Sequence, residues 1–358
     1  MTLPLDHPIV DGRTSSSPLI RAYRGSLPQH TPVWFMRQAG RSLPEYRALR
    51  AGGQMLQACL DPSMVTEITL QPVRRHGVDA AILFSDIVIP VLLAGVDVTI
   101  VAGRGPVFDL PVRTAAEVAA LPELDAAALG PSREAGRLIV AELGSTPLIA
   151  FAGAPFTLAS YLVEGGPSKD QMRTRTLMRS DPRTFDALLA WCARISGAFL
   201  RAQVESGASA AQVFDSWVGS LSRETWRTEI SRHTARTFAA LDGLAVPRVH
   251  FGLGSASILD LLPTIGADVV GVDWRTPLDE AAQTVPRWPL QGNIDPSVLA
   301  APWEVVEAHV LDVMKRGRSA PAHVVNLGHG VPPETDPDVL TRIVALVLEH
   351  GGAGELLA

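Results

Sequence analysis

The sequence predicts an α/β protein, a single (β/α)8 barrel of the TIM type with a small hairpin inserted after the second βα unit. Three observations lead there. Eight short apolar runs recur along the chain, helically patterned stretches separate them, and polar residues follow closely on most of the runs. Counting alone leaves an open doubly wound sheet as an alternative.

Taken in order, the runs are PVWFM (32–36), AAILF (80–84), PLIAF (147–151), AAQVF (210–214), RVHFG (248–252), DVVGV (268–272), PLQG (289–292) and HVVNL (323–327). Most are continuous rather than alternating, which suits strands covered on both faces. Among the spacers, 181–206 opens with Asp181 as N-cap and Pro182 in the first turn, then places apolar residues at helical intervals. The stretch 222–242 opens with Ser222 and repeats the pattern, and 336–350 opens with Asp336 and Pro337. The segment around 97–109 reads as the inserted hairpin. Residues 1 to about 24, rich in Ser and Pro, read as a mobile tail, which leaves 25–358 for the barrel domain.

Composition bounds the function. At 358 residues the chain is long enough for two domains of ~150 residues, yet no Gly/Ser linker or repeat divides it, and barrels often exceed ~250 residues as one unit. Asp6, His7 and Asp11 stand where a secretory signal needs a basic start and an apolar run. The most apolar run, Ile87 to Val96, is too short to span a bilayer and contains Pro90. Cys59 and Cys192 form no CxxC pair and no zinc-spaced set, as expected of reduced core residues in a cytoplasmic protein. A net charge of −6 without a basic block argues against nucleic acid. A polyanionic ligand would therefore have to be held by a few specific arginines.

The polar residues that close the runs mark the candidate site. Run one ends at Arg37, run two at Asp86, run four at Asp215 and Ser216, and run six at Asp273. Run seven ends at Asn293 and Asp295, and run eight at His329. In a (β/α)8 barrel that rim is where sites assemble.

Each candidate has a plainer explanation. In PVWFMRQAGRSLPEYR (32–47), Arg37 follows the first run, Gly40 permits a sharp turn, and Arg41 sits four positions on. Two guanidiniums so spaced can grip carboxylates bidentately, or can simply be loop arginines facing water. Asp86 in DAAILFSDIVIP (79–90) suits a site carboxylate or the cap of the next turn. Asp215 and Ser216 in QVFDSWVGSLS (212–222) pose the same choice. Tyr161 in AFAGAPFTLASYLVEGG (150–166) suits a ligand contact or the core. His329 in NLGHGVPPETDP (326–337) lies between two glycines, a better position for meeting a ligand than that of most lone histidines.

These segments, with VGVDWRTPL (270–278) and LQGNIDP (290–296), resemble the uroporphyrinogen decarboxylases over about residues 30 to 345. P-x-W-x-M-R-Q-A-G-R at 32–41 resembles that family's first signature. The second signature usually opens Gly-Phe, and Ala150 stands in the glycine's place; residues 51–54 are also more glycine-rich than the family pattern. The resemblance implies a carboxy-lyase of haem and tetrapyrrole biosynthesis that acts as a homodimer. Its reaction would remove the four acetate carboxylates of uroporphyrinogen III as CO2, giving coproporphyrinogen III. No cofactor or metal is implied, because protonation of a pyrrole α-carbon makes the substrate its own electron sink. Arg37, Gln38, Ala39, Gly40, Arg41, Asp86, Tyr161, Ser216 and His329 are the implied substrate-binding residues. Asp86 and Arg37 are the implied catalytic pair, with Arg37 expected to lower the Asp86 pKa, and Phe151 and Phe214 are the implied apolar walls.

Three other classes compete. A zinc-dependent methyltransferase needs a His/Cys donor set, and the two cysteines lie outside the rim runs. A divalent-metal hydrolase could use Asp86, Asp215, Asp273, Asp295 and His250, but it would usually carry an HxH pair where this chain has Arg37. A tetrapyrrole carrier would bind the ring without releasing CO2.

Overall fold

The computed structural model describes residues 2–352; residues 353–358, which close the expected domain, lie outside that range. Seven parallel strands form one curled sheet in the order β1-β4-β5-β6-β7-β8-β9. They are β1 (Ala81–Ile82), β4 (Leu148–Gly153), β5 (Ala210–Asp215), β6 (Arg248–Gly252), β7 (Val269–Gly271), β8 (Leu290–Gln291) and β9 (His323–Val324). An antiparallel pair, β2 (Thr99–Val101) with β3 (Gly105–Val107), stands apart from the sheet. Each parallel neighbour is reached through a helical crossover, and this places helices on the outside of the sheet. All six residues of β4 are buried, the continuous pattern expected where both faces are covered.

The first apolar run behaves differently from the other seven. It lies between the two ends of the sheet without becoming a ladder strand. Trp34 N–H donates to Val325 O at 3.2 Å, Val325 N–H donates to Pro32 O at 2.9 Å, and Asp79 N–H donates to Val33 O at 2.9 Å. Beyond Trp34 the backbone donors go to side chains: Phe35 N–H to Gln38 Oε1 at 3.0 Å and Met36 N–H to Asn326 Oδ1 at 2.9 Å. Amide side chains have replaced the neighbouring strand, so regular pairing stops where the chain turns toward Arg37.

Local rules set the helices. Asp181 accepts from Thr184 N–H and opens the helix Pro182–Glu205, Ser222 accepts from Thr225 N–H, and Asp336 accepts from Asp338 N–H at the head of Pro337–His350. The expected tail also has structure. Ser17 caps a helix at Pro18–Tyr23, whose Leu19, Ile20 and Tyr23 are at most 1% exposed. Their apolar side chains give the segment a face to bury, which its Ser/Pro composition conceals. The Tyr23 hydroxyl donates to Gln291 Oε1 at 2.5 Å and accepts from Trp34 Nε1, so the segment joins the sheet's polar interior.

Candidate active site

The turn after the first run presents Arg37 and hides Gln38. Arg37 has φ of 61°, a left-handed conformation uncommon for a side-chain-bearing residue and worth examining for function. Gln38 is fully buried, with Oε1 on Phe35 N–H and Nε2 donating to Ala80 O at 2.9 Å. Its amide staples the turn to the second run and leaves none of its side chain for a ligand. At Gly40 a Cβ would come within 3.1 Å of Arg37 O, so a larger residue would crowd the turn. Across the mouth, a Cβ on Gly330 would collide with the Arg37 stem; that glycine is the notch in which the arginine lies.

Asp86 stands at the C-terminal side of β1. Its Oδ1 accepts from Val88 N–H at 3.0 Å and closes a local turn, while the helix Ile89–Leu93 that follows takes Val88 as N-cap without a side-chain cap, so Asp86 does not cap it. Oδ2 has no hydrogen-bond partner among the described residues. Burial holds the carboxyl above the usual aspartate range, while the Val88 N–H and the nearby Arg37 guanidinium pull it back only partly. Arg37 acts in the expected direction, but desolvation outweighs it, so the net shift is opposite to the one the sequence suggested.

Tyr161 lies near both Asp86 and Arg37, and His329 near Arg37 and Arg275. Burial and Asp86 push the Tyr161 phenol up to about 12, with Arg37 opposing. Its ring stacks on Trp217, centroids 4.1 Å apart. Ser216, next to Trp217, is half-buried, and its hydroxyl makes no hydrogen bond among the described residues, so it caps nothing. His329 is held below its ordinary pKa first by burial, then by Arg37 and Arg275. Gly330 N–H donates to its Nδ1 at 2.6 Å, which leaves the neutral ring's proton on Nε2. Phe151, Phe214 and Phe251 meet edge to face at 5.5 and 6.0 Å and form an apolar cluster along β4–β6.

Several other rim residues are used up by structure. Asp215 is fully buried, with Oδ1 accepting from Thr157 Oγ1 at 2.8 Å and Oδ2 lying 3.6 Å from the buried His250. Asn293 Nδ2 donates to Asp273 O and Thr276 O, and Asp295 caps its own turn through Ser297 N–H. Arg41 is exposed; its carbonyl accepts from Arg47, and nothing joins its guanidinium to Asp86. Trp217, Trp274 and Arg275 were not singled out in the sequence. The first lies one position beyond Ser216 within a quoted motif, so a search for aromatic neighbours of candidate ligands would have found it. No group of three His, Cys, Asp or Glu side chains able to hold a metal occurs among the described residues.

The uroporphyrinogen decarboxylase family model matches residues 14–350. The chain belongs to that family. It is 61% identical to the uroporphyrinogen decarboxylase of Arthrobacter sp. (strain FB24), over 94% of this chain and 98% of that one. It is 58% identical to the one of Leifsonia xyli subsp. xyli, over 96% and 97%. Among solved structures it resembles a methyltransferase from Methanosarcina mazei with a TM-score of 0.77 at 17% identity, covering 94% of this chain and 98% of the other. That likeness concerns the fold alone. For the family member in hand, Arg37 lies within electrostatic reach of Asp86, Tyr161 and His329 alike.

Proposed function

We propose that this chain removes the acetate carboxylates of uroporphyrinogen III to give coproporphyrinogen III, with Asp86 and Arg37 as its catalytic groups. Membership of the family supports the reaction. What carries the residue assignment is a desolvated carboxylate with one free oxygen beside a guanidinium. Losing CO2 directly from a pyrrole acetate would leave an unstabilised carbanion, whereas protonating the ring α-carbon first creates a cation that accepts the electron pair. A preorganised anion in a water-poor mouth stabilises that cation more than it stabilises the neutral ring. The pyrrole N–H groups would replace the hydration Asp86 lacks, and their charge would draw its pKa down again.

Arg37 would hold a side-chain carboxylate, with Arg41 reaching in from the same turn. Residues 38–40 would contribute backbone, since the Gln38 amide is already engaged. The Tyr161 hydroxyl, the unpaired Ser216 hydroxyl and His329 Nε2–H would complete the grip as neutral donors. Phe151 and Phe214 would line the apolar wall.

We further propose a closed eight-stranded barrel, with the 32–36 run completing the ring, β2–β3 as an insert and the Pro18–Tyr23 helix packed on it. The working form would be a cytoplasmic homodimer, checked by light scattering at assay concentration. No helix among the described residues is long and apolar enough to cross a membrane. The test of function is anaerobic incubation with uroporphyrinogen, oxidation, and chromatography by carboxylate number. Loss of the acetate carboxylates is expected. Binding with every carboxylate retained would leave a carrier and overturn the reading.

A further inference from the structure

Arg275 is the third guanidinium at this mouth, and no role has been given to it so far. Its Nη1 donates to Asp273 Oδ2 at 2.6 Å. The two differ in exposure, 52% for the arginine side chain and 2% for the aspartate. Asp273 is fully occupied: Oδ1 accepts from Arg275 N–H at 3.1 Å, and Oδ2 also accepts from Gly254 N–H at 2.5 Å. The Asn293 amide pins the loop on both sides, at Asp273 O and Thr276 O. The buried carboxylate is therefore an anchor, and among the described residues no partner takes the guanidinium's Nε and Nη2 donors.

The platform beneath Arg275 is equally fixed. Its Cζ lies 3.8 Å above the Trp274 ring. Gly328 lets the Trp274 backbone approach closely, since any Cβ there would collide with Trp274 N, Cα and Cβ, and the Trp274 ring faces the His329 ring edge-on at 6.1 Å. One residue further, Gly330 cradles the Arg37 stem. The contiguous order across the mouth is thus Arg37, His329, Trp274, Arg275. Both arginines disfavour charge on His329, so both fields reach the same ring. An arginine needed only to neutralise Asp273 would not require an indole face to fix its plane as well; one that receives a planar ligand group would.

We propose that Arg275 binds a side-chain carboxylate of the tetrapyrrole, on the side of His329 opposite Arg37, and so helps set the affinity for polycarboxylated substrates. This inference rests on the functional reading above. Either a propionate or an acetate could fill the site. A propionate persists through every decarboxylation and an acetate does not, and the experiment separates them.

The test compares wild type, Arg275→Gln and Arg275→Lys with uroporphyrinogen and with heptacarboxylate and pentacarboxylate porphyrinogens under anaerobic conditions. Loss of a charge-assisted hydrogen bond predicts that KM rises about 10-fold or more in the Gln variant, with kcat within about twofold. The Lys variant can still pair with Asp273 but lacks the fork, so its KM also rises. Equal effects on all substrates identify a propionate, and effects that fade as acetates are lost identify an acetate. As an independent readout, the His329 ring should titrate at higher pH in the Gln variant, because one repelling charge is gone. KM within about twofold of wild type in the folded Lys variant overturns the proposal, whatever the Gln variant does to folding. Failure of the functional reading looks different, since wild type itself would then release no CO2.

Discussion

Replacing Asp86 by Asn removes one charge and almost no volume, which makes it the sharpest perturbation of this site. The Asn Oδ1 can still accept from Val88 N–H, so the local turn survives. A unit charge pair at ~4 Å in an effective dielectric of ~20 is worth about 4 kcal/mol, or roughly 10³ in rate. Spreading the cation over the pyrrole ring reduces that figure, so a fall in kcat/KM of about 10²-fold or more is expected. Stability should move the other way. The folded Asp86 pKa is raised, so its contribution is favourable below the unfolded value and is lost as pH rises through the folded one. At neutral pH the carboxylate is a net cost. The Asn variant should therefore melt higher at pH 7, and the gain should vanish below pH ~4. The assays are anaerobic turnover by chromatography and thermal melts at both pH values. Near-normal turnover would remove Asp86 from the mechanism, and a lower melting temperature at pH 7 would refute the desolvation argument.

Arg37→Lys should lower kcat/KM by about 10-fold or more, because a point charge replaces a planar fork at a carboxylate contact; unchanged kinetics would exclude bidentate binding. The acid limb of kcat/KM should sit above the ordinary aspartate value, since burial raises Asp86, and should move higher still in Arg37→Gln, which removes a charge that lowers it; a limb that stays put would uncouple the pair. Gln38→Leu should destabilise the fold by about 1–3 kcal/mol, read as a shift in the urea midpoint, by stranding Phe35 N–H and Ala80 O. Gly330→Ala should depress activity with little loss of secondary structure, because the new methyl displaces the Arg37 stem; wild-type kcat/KM there would mean that the stem's placement is not critical.

How much of this was legible in the sequence varied with the kind of interaction. Sequence alone located seven parallel strands and the caps at Asp181, Ser222 and Asp336, because burial on both faces and N-capping are rules about neighbouring residues. It also put Arg37, Asp86 and His329 just past the ends of apolar runs, whereas Tyr161, inside the helix Pro155–Glu164, came only from the family resemblance. Three things required tertiary structure. The first run became a hydrogen-bonded connection because the amides of Gln38 and Asn326, the latter 290 positions from its partner Met36, took its donors. The sign of the Asp86 shift depended on how much protein surrounds the carboxyl, a quantity no linear spacing contains. The setting of Arg275 depends on Gly328 and Gly330, from the far end of the chain, which admit the backbone of Trp274 and the stem of Arg37. Backbone propensity and capping act over a few residues, whereas desolvation and side-chain notches are set by segments that meet only after folding.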